Sequence, residues 1–412
     1  MLKNYFKTAV AVLLRRKFFT FISLFGISFT LAILIILTAF LDHFASNTYP
    51  ETNRDRSLYV QSVQQTDPKT GGRSRGPLSY FYITEYILPL KSVSQVGFST
   101  MFISTNTYIN SKKLTLNLKY TNEGFWKTMS FKFLEGKPFA VEQIDRAERV
   151  AVISEETSKT YFGSARDIIE KFIEADNVRY RVYGVIKDVP VTMLASHADI
   201  YVPYTVSKTD YKNRSLGGNF LAVLLTKDKN GIEKVKTEYA SVVSKIPPTD
   251  KRYSEIFSAA DTYLGSFTRE LFGSTSNNGL DRFALVIGIF MLFFMLLPTL
   301  NLVNINISRI MERSSEIGVR KAFGASSNTL VYQFLIENII LTGLGTILGI
   351  LISIGIMQII NQANIIPNLV LRVNLLVTAY ALLLCLIFGL LSGVYPAWRM
   401  SRLQVVNALK AN

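Results

Sequence analysis

Phe18 to Leu41, FFTFISLFGISFTLAILIILTAFL, runs for 24 residues without a charged side chain. Wound as an α-helix it is about 36 Å long, enough to cross a hydrocarbon core of about 30 Å. Arg15, Arg16 and Lys17 precede it and Phe44-Ala45-Ser46 faintly resembles a cleavage site, as in a secretory leader. Leader cores run only about 7 to 15 residues, so the stretch reads as an uncleaved anchor. Three further uncharged stretches of spanning length follow: Phe283 to Ile307, Asn338 to Ile360 and Val373 to Ala397. The fold class is therefore a membrane protein of four transmembrane α-helices, over 18–41, 283–307, 338–360 and 373–397.

Composition agrees. Of 412 residues 49% are hydrophobic and 18% charged, and the mean hydropathy is +0.25, which excludes a disordered chain and disfavours an ordinary soluble globule. One cysteine excludes a disulfide framework within the chain, and two histidines leave little material for a zinc site. The net charge of +15 suggests either nucleic acid or an anionic membrane surface, and its placement decides. Residues 1–17 carry five Lys/Arg and no acid, and 398–412 carry three and no acid. The 308–329 stretch holds Arg309, Arg313, Arg320 and Lys321 against Glu312 and Glu316, whereas 361–372 has only Arg372. Cytoplasmic loops carry the excess of Lys and Arg, so both termini and the 308–337 segment are expected inside and 42–280 outside. The outer region has 31 basic and 26 acidic residues, so most of the excess charge flanks membrane spans. No basic stripe interleaved with aromatics remains for nucleic acid. Residues 1–17, with Tyr5, Phe6, Ala9, Val10, Leu13 and Leu14 at helical spacing, read as an amphipathic helix on the inner membrane surface.

An insertion of the length of 42–280 buries a core of its own. Leu114 to Tyr120 alternates, Val150 to Ile153 reads as a fully buried strand, and Tyr180 to Ile186 as a largely buried one. Ser154 to Phe162 reads as a helix with a Ser N-cap, although Thr157 stands where a capping box has an acid or amide. Gly231 to Ile246 is a second helix, stopped by Pro247-Pro248. The insertion is thus a large mixed α/β domain. Breaker-rich segments at Thr66 to Pro77, Leu216 to Asn219 and Phe272 to Gly279 are expected as a mobile loop, a boundary and a joint into the second span.

Chemistry-bearing motifs are scarce. No phosphate-binding G-x-x-x-x-G-K-[ST] loop occurs, Gly136-Lys137-Pro138 lacking the spacing and the hydroxyl, and no G-x-S-x-G occurs. The expected reading is no catalytic, cofactor or metal residue on this chain, with His43 and His197 as surface or interface histidines and Cys385 as a small hydrophobe in the fourth span. In the spans, Gly345, Gly349 and Ser353, and again Gly389 and Gly393, recur every four residues. Small side chains on one face let helix backbones approach closely, within the chain or between subunits. Pro298 should kink the second span, and Asn301, Asn304 and Asn306 after it suit an interface or a helix contact. Between the second and third spans, Glu312 to Ala325 (ERSSEIGVRKAFGA) mixes charges with Ile317, Val319 and Phe323. If helical, Glu316 and Arg320 pair at i,i+4, while Gly318 and Gly324 permit a tight turn or close contact. That mixture suits a short amphipathic element docking on another protein, and Glu337 an interfacial acid with a partner.

Glu312 to Ala325 resembles the E-R-x-x-E-I-G-x-R-K-A-x-G-A signature of the FtsX-like permease domain, with Gln333 to Glu337 and Tyr395 to Leu403 also similar to it. The outer domain is similar to the periplasmic core domain of MacB-type ABC transporters over Gly124 to Gly136, Val150 to Ser154, Tyr161 to Gly163 and Val182 to Pro190. The resemblance implies a permease subunit, not itself an enzyme, whose ATP and Mg are bound by a separate ATPase. It implies an ABC ATPase subunit dimer and a second permease copy or paralogue as partners, with a periplasmic adaptor and outer-membrane channel as further candidates. The implied location is a bacterial inner membrane, with membrane lipid around the spans and the large domain periplasmic. Glu312, Arg313, Glu316, Ile317, Gly318, Arg320, Lys321, Ala322, Gly324 and Ala325 are then the ATPase-coupling residues. The implied mechanism is mechanotransmission driving efflux of a drug, peptide or other cargo, with lipoprotein extraction or regulation of a periplasmic hydrolase as alternatives.

Overall fold

The computed structural model describes residues 11, 14–15, 17–109, 112–248, 252–312, 318–320, 322–324 and 326–401. Most of the expected 1–17 helix and of the 398–412 tail lies outside them. The longer helices are α1 (Lys17–Ala45), α2 (Glu155–Phe162), α3 (Gly231–Val243), α4 (Tyr263–Phe272), α5 (Leu280–Glu312), α6 (Ser327–Gln362) and α7 (Leu375–Ser401). The chain divides into two compact units, one of residues 1–42, 284–363 and 370–412, the other of residues 43–283 and 364–369. Residues 364–369, expected as part of a plain 361–372 loop, thus belong with the inserted domain.

In the helical unit α1, α5, α6 and α7 are each long and apolar enough to cross a membrane. Each runs past its apolar stretch. α6 begins at Ser327 rather than near Asn338, because Ser326 caps it by accepting the Thr329 N–H at 3.2 Å, and polar residues fill its first turns. α5 continues as helix through position 298; there Thr299 Oγ1 donates to the Met295 carbonyl at 2.6 Å. The small residues sit where helices meet. A methyl group at Gly345 would lie 2.8 Å from Ile27 Cβ, one at Gly349 2.9 Å from the Ser28 carbonyl oxygen, and one at Gly389 2.6 Å from Thr342 Oγ1. One at Gly393 would collide with the Asn338 amide. Ser353 is fully buried, its hydroxyl donating to the Ile350 carbonyl at 2.8 Å. α6 therefore packs on α1 through one small-residue face and on α7 through the glycines of α7. Asn306 Nδ2 on α5 donates to Asn338 Oδ1 on α6 at 3.1 Å, both buried, so this asparagine makes a helix contact.

The inserted domain has strands β1 (Ser57–Val60), β2 (Val63–Thr66), β3 (Arg73–Gly76), β4 (Gln95–Thr100), β5 (Ile103–Ile109), β6 (Lys112–Thr121), β7 (Phe133–Gly136), β8 (Val150–Ser154), β9 (Phe172–Ala175), β10 (Val178–Ile186), β11 (Ile200–Pro203), β12 (Phe220–Leu225) and β13 (Glu255–Ser258). A mixed ten-stranded sheet has the order β1-β12-β4-β6-β11-β8-β10-β7, with β5 on β6 and β9 on β10; β13-β2-β3 form a second sheet. β8 is buried at every position and pairs parallel to β10 and antiparallel to β11. Its run of Val, Ala, Val and Ile has covered faces on both sides, and each fully buried Val or Ile contributes about 1.5 to 3 kcal/mol. Ser154 caps α2 by accepting the Thr157 N–H at 3.1 Å, with its hydroxyl 2.8 Å from Thr157 Oγ1. Gly163, at φ 77°, ends the helix in the left-handed region that glycine enters without strain.

Three expectations are corrected. Thr66 to Pro77 is not wholly loop: Arg73–Gly76 returns as β3 against β2, around a turn in which Asp67 Oδ1 accepts the Lys69 N–H at 2.8 Å. Leu216 to Asn219 is no boundary, since Leu216 is buried and Gly218 lies against Ser79 with no room for a side chain. α3 stops at Val243, before the prolines, because Lys245 and Ile246 turn tightly back on the Val242 and Val243 carbonyls.

Charge also lies inside this domain. The Glu51 carboxylate accepts from Arg54 Nε at 2.9 Å, Tyr59 OH at 3.1 Å and Ser196 Oγ at 2.6 Å. Arg54 Nη1 donates to the His43 carbonyl at 2.8 Å and the Ser46 carbonyl at 3.2 Å, and its guanidinium lies 3.8 Å from the centre of the Tyr263 ring. Lys119 on β6 is fully buried, with Nζ donating to the carbonyls of Thr100 (3.0 Å), Leu194 (3.1 Å) and Ala195 (3.1 Å). Burial pushes its ammonium down from the ordinary lysine value to about 7, against a smaller upward pull from Glu51.

Two predictions follow from packing and burial. Gly349→Leu should lower the thermal midpoint of the detergent-solubilised protein by overpacking worth about 1 to 3 kcal/mol, whereas Gly355→Leu, where nothing lies within 4 Å, should leave it unchanged. Equal midpoints for the two variants would refute the helix contact. For Lys119, the unfolded chain holds a proton that the folded chain releases above about pH 7. Stability contributed by this group therefore rises with pH from there toward the ordinary lysine value. Between about pH 6 and about pH 9 the wild-type midpoint should climb relative to that of Lys119→Met; parallel curves would contradict it.

Candidate functional site

The segment joining α5 to α6 holds the expected coupling residues. Arg313, Glu316, Ile317, Lys321 and Ala325 lie outside the described residues, and with them the proposed Glu316–Arg320 pair. Glu312, exposed, closes α5. Gly318 is buried within a helical piece at 318–320. The turn falls at Gly324, whose φ of 91° suits glycine. Arg320 Nη1 donates to Gln333 Oε1 on α6 at 3.3 Å, tying the segment to the helix that follows. Ala322 is exposed. Phe323 beside it is 89% exposed and Val319 45%, and the Phe323 N–H donates to the Val319 carbonyl at 3.1 Å. A large aromatic is held outward by a short helical turn, just after Arg320 and Lys321 in sequence, and exposed apolar side chains of this kind suit contact with another protein. Its aromatic tip was legible as an interleaved residue but not as the most exposed point. Glu337, ten residues into α6, is buried.

The inserted domain has no reacting constellation among its described residues, and no group of three His, Cys, Asp or Glu able to hold a metal ion occurs among them. Both histidines are buried, which corrects the surface assignment: His43 Nε2 lies 3.0 Å from Thr192 Oγ1, and His197 Nδ1 lies 2.9 Å from the Val189 carbonyl oxygen. Two apolar neighbours explain why: Phe44 packs edge-on to His43, and Phe102 edge-on to His197. Both histidines thus belong to the surroundings of one strap, residues 189–199, that crosses from β10 to β11. The strap's Leu194 and Ala195 also wall a cleft of about 360 Å³ with Met101 and Phe267, at whose edge Arg75 pairs with Glu270 at 2.5 Å. Sequence reading touched only Val189-Pro190, at the end of a family-like run, and His197, because residues 191–196 have neither periodicity nor a motif.

Residues 20–241 match the family described as MacB-like periplasmic core domain, and residues 288–405 that described as FtsX-like permease C-terminal. The chain is 24% identical over 307 residues to the macrolide export ATP-binding/permease protein MacB of Burkholderia cenocepacia (strain HI2424), covering 72% of this chain and 43% of that protein. It is 24% identical over 289 residues to the uncharacterized ABC transporter permease YknZ of Bacillus subtilis (strain 168), covering 70% of this chain and 68% of that one. Among solved structures, a domain of a putative permease protein from Porphyromonas gingivalis aligns with a TM-score of 0.42 at 14% identity, over 52% of this chain and 92% of that one. The chain thus spans less than half the length of the MacB relative. With an inserted α/β domain, four helices of spanning length and a match that covers both, the chain belongs to the MacB-like family of FtsX-type ABC transporter permeases.

Proposed function

We propose that this permease couples ATP hydrolysis by a partner ATPase chain to a conformational change of its inserted domain, and that this change expels a cargo from outside the inner membrane. The observation that carries the reading is the outward Phe323 with Arg320 anchored to α6 through Gln333. A push on that segment reaches a membrane-crossing helix directly, through a side-chain bond and a continuous backbone. The resident ATP and Mg belong on the partner. The reading places 308–337 and both termini in the cytoplasm and the inserted domain in the periplasm, supported by the placement of Lys and Arg. Two permease copies with two ATPase subunits would supply the symmetry that a pair of ATP sites requires. A conformational change follows only if the ATPase touches the segment differently in its ATP-bound and ATP-free states, and a protruding aromatic near the anchored Arg320 supports such a difference.

Two substitutions test this. Phe323→Ala should weaken co-purification of the ATPase, by about tenfold or more if the ring is a central anchor. Gly318→Leu, in a complex reconstituted in lipid vesicles, should leave insertion and ATP hydrolysis intact while abolishing ATP-driven export. Normal export from Gly318→Leu at normal expression, together with undiminished capture of the ATPase by Phe323→Ala, would sink the proposal.

A further inference from the structure

Three stretches of chain enter the inserted domain's unit next to membrane-crossing helices, and all three meet one dipeptide. The first is the end of α1, where His43 Nε2 lies 3.0 Å from Thr192 Oγ1. The second is α4, which precedes α5 in the chain, where Tyr263 OH donates to the Thr192 carbonyl at 3.4 Å. The third is the 364–369 link between α6 and α7, where the Pro367 carbonyl accepts the Val191 N–H at 3.4 Å. Every one of these residues falls within the unit of residues 43–283 and 364–369.

The dipeptide opens a strap fixed firmly further on. Met193 is 1% exposed, and its N–H donates to the Pro190 carbonyl at 3.0 Å, while its own carbonyl accepts from the N–H groups of Ser196 (3.0 Å) and His197 (2.7 Å). The Leu194 and Ala195 carbonyls are held by Lys119, and Ser196 Oγ donates to Glu51. Beyond it, Asp199 Oδ2 accepts the Asn117 N–H at 2.7 Å and the Asp199 carbonyl accepts the Ser154 N–H at 3.0 Å, so the strap runs straight into β6 and β8. A shift at Val191–Thr192 cannot be absorbed along the strap; it must pass to the central strands of the sheet.

We propose that Val191–Thr192 is the node at which movements arriving along α1, α4 and the 364–369 link are combined and passed through the 189–199 strap to the sheet, with Thr192 as its positioning residue. This rests on the coupling function proposed above. The chemistry suits the task. Thr192 offers two separate groups, a hydroxyl to His43 and a carbonyl to Tyr263, so two of the three inputs bear on one residue while the third bears on its neighbour.

Hydrogen exchange on the full permease, in complex with its ATPase in lipid vesicles, tests the node with and without ATP and vanadate. Thr192→Val keeps the side chain's shape and removes the hydroxyl, Thr192→Ser keeps the hydroxyl, and Tyr263→Phe removes the second input should Thr192→Val fail to accumulate. In wild type and Thr192→Ser, ATP with vanadate should change exchange in peptides covering β6 and β8. In Thr192→Val or Tyr263→Phe that change should fall about threefold or more, in the range that mutations along a coupled network produce, at unaltered ATP hydrolysis and thermal midpoint. A full response in both deletion variants overturns the node and leaves the coupling function standing. Absence of any ATP-dependent change in the wild-type inserted domain overturns the coupling function and the node with it.

Discussion

Arg54 resolves the problem that a membrane-crossing helix creates when it ends. The last four carbonyls of a helix have no partner within it, and at the end of α1 they emerge where the chain turns into a packed domain. Arg54 meets the carbonyls of His43, Phe44 and Ser46 with one guanidinium nitrogen, and its positive charge also suits the negative end of the helix dipole. Burying that charge would cost several kcal/mol without compensation. Glu51, three residues earlier, neutralises it, and the Tyr263 ring covers its face. Glu51 in turn binds Tyr59 on β1 and Ser196 on the strap. Removing one member would strand the others, so helix end, first strand and strap stand or fall together.

How much of this was written plainly in the sequence depends on periodicity. The spans, β8 and the capped α2 were legible because each is a local pattern: an unbroken apolar run, a Val-Ala-Val-Ile tetrapeptide, a serine before a helix. Lys119 was not. In the alternation of Leu114 to Tyr120 it stands on the face opposite Leu116, Leu118 and Tyr120, where a sheet covered on one side would leave it in water. Here β6 lies between β4 and β11 with the strap across that other face, and no local signal announces a segment some 75 residues away. The histidines, read as surface or interface residues, are buried for the same reason: their partners Thr192 and Val189 come from the strap, whose course no periodicity announces. The β3 hairpin was missed because its Gly and Asp residues mark the turn truthfully while Arg73-Ser-Arg carries no strand signature.

The helical unit shows what small residues accomplish. Lipid supplies no hydrophobic incentive for apolar helices to associate, so contact relies on close backbone approach and on buried polar pairs. Gly345 and Gly349 let α6 meet α1 with Ile27, Ser28 and Leu31 at their surface, and Gly389 and Gly393 let α7 meet Thr342 and Asn338 of α6. Gly393 also leaves room for the Asn338 amide, which receives the Asn306 amide of α5. One asparagine is thus shared between two helix contacts. Its register is fixed by hydrogen-bonding geometry in a setting where leucine against leucine would slide.

The inserted domain combines two grades of attachment, and the difference fits a part that moves. The clasp of Arg54 and Glu51 is charge-assisted and buried, and losing one partner of such a pair costs about 3 to 5 kcal/mol; it has no reason to open in a working cycle. Of the bonds that converge on Val191 and Thr192, those from Tyr263 and to Pro367 join uncharged groups and measure 3.4 Å, long for a hydrogen bond. Neutral bonds net only about 0.5 to 1.5 kcal/mol each. On the proposed coupling function, ATP-driven closure would break and remake them without threatening the fold, while the clasp would keep the end of α1 tied to β1. A transmission built wholly of strong pairs would be rigid, and one built wholly of weak ones would dissipate the stroke. Strong fixation at Met193 to Asp199 beside weak contacts at Val191 and Thr192 would confine such a motion to one end of the strap and deliver it to the other.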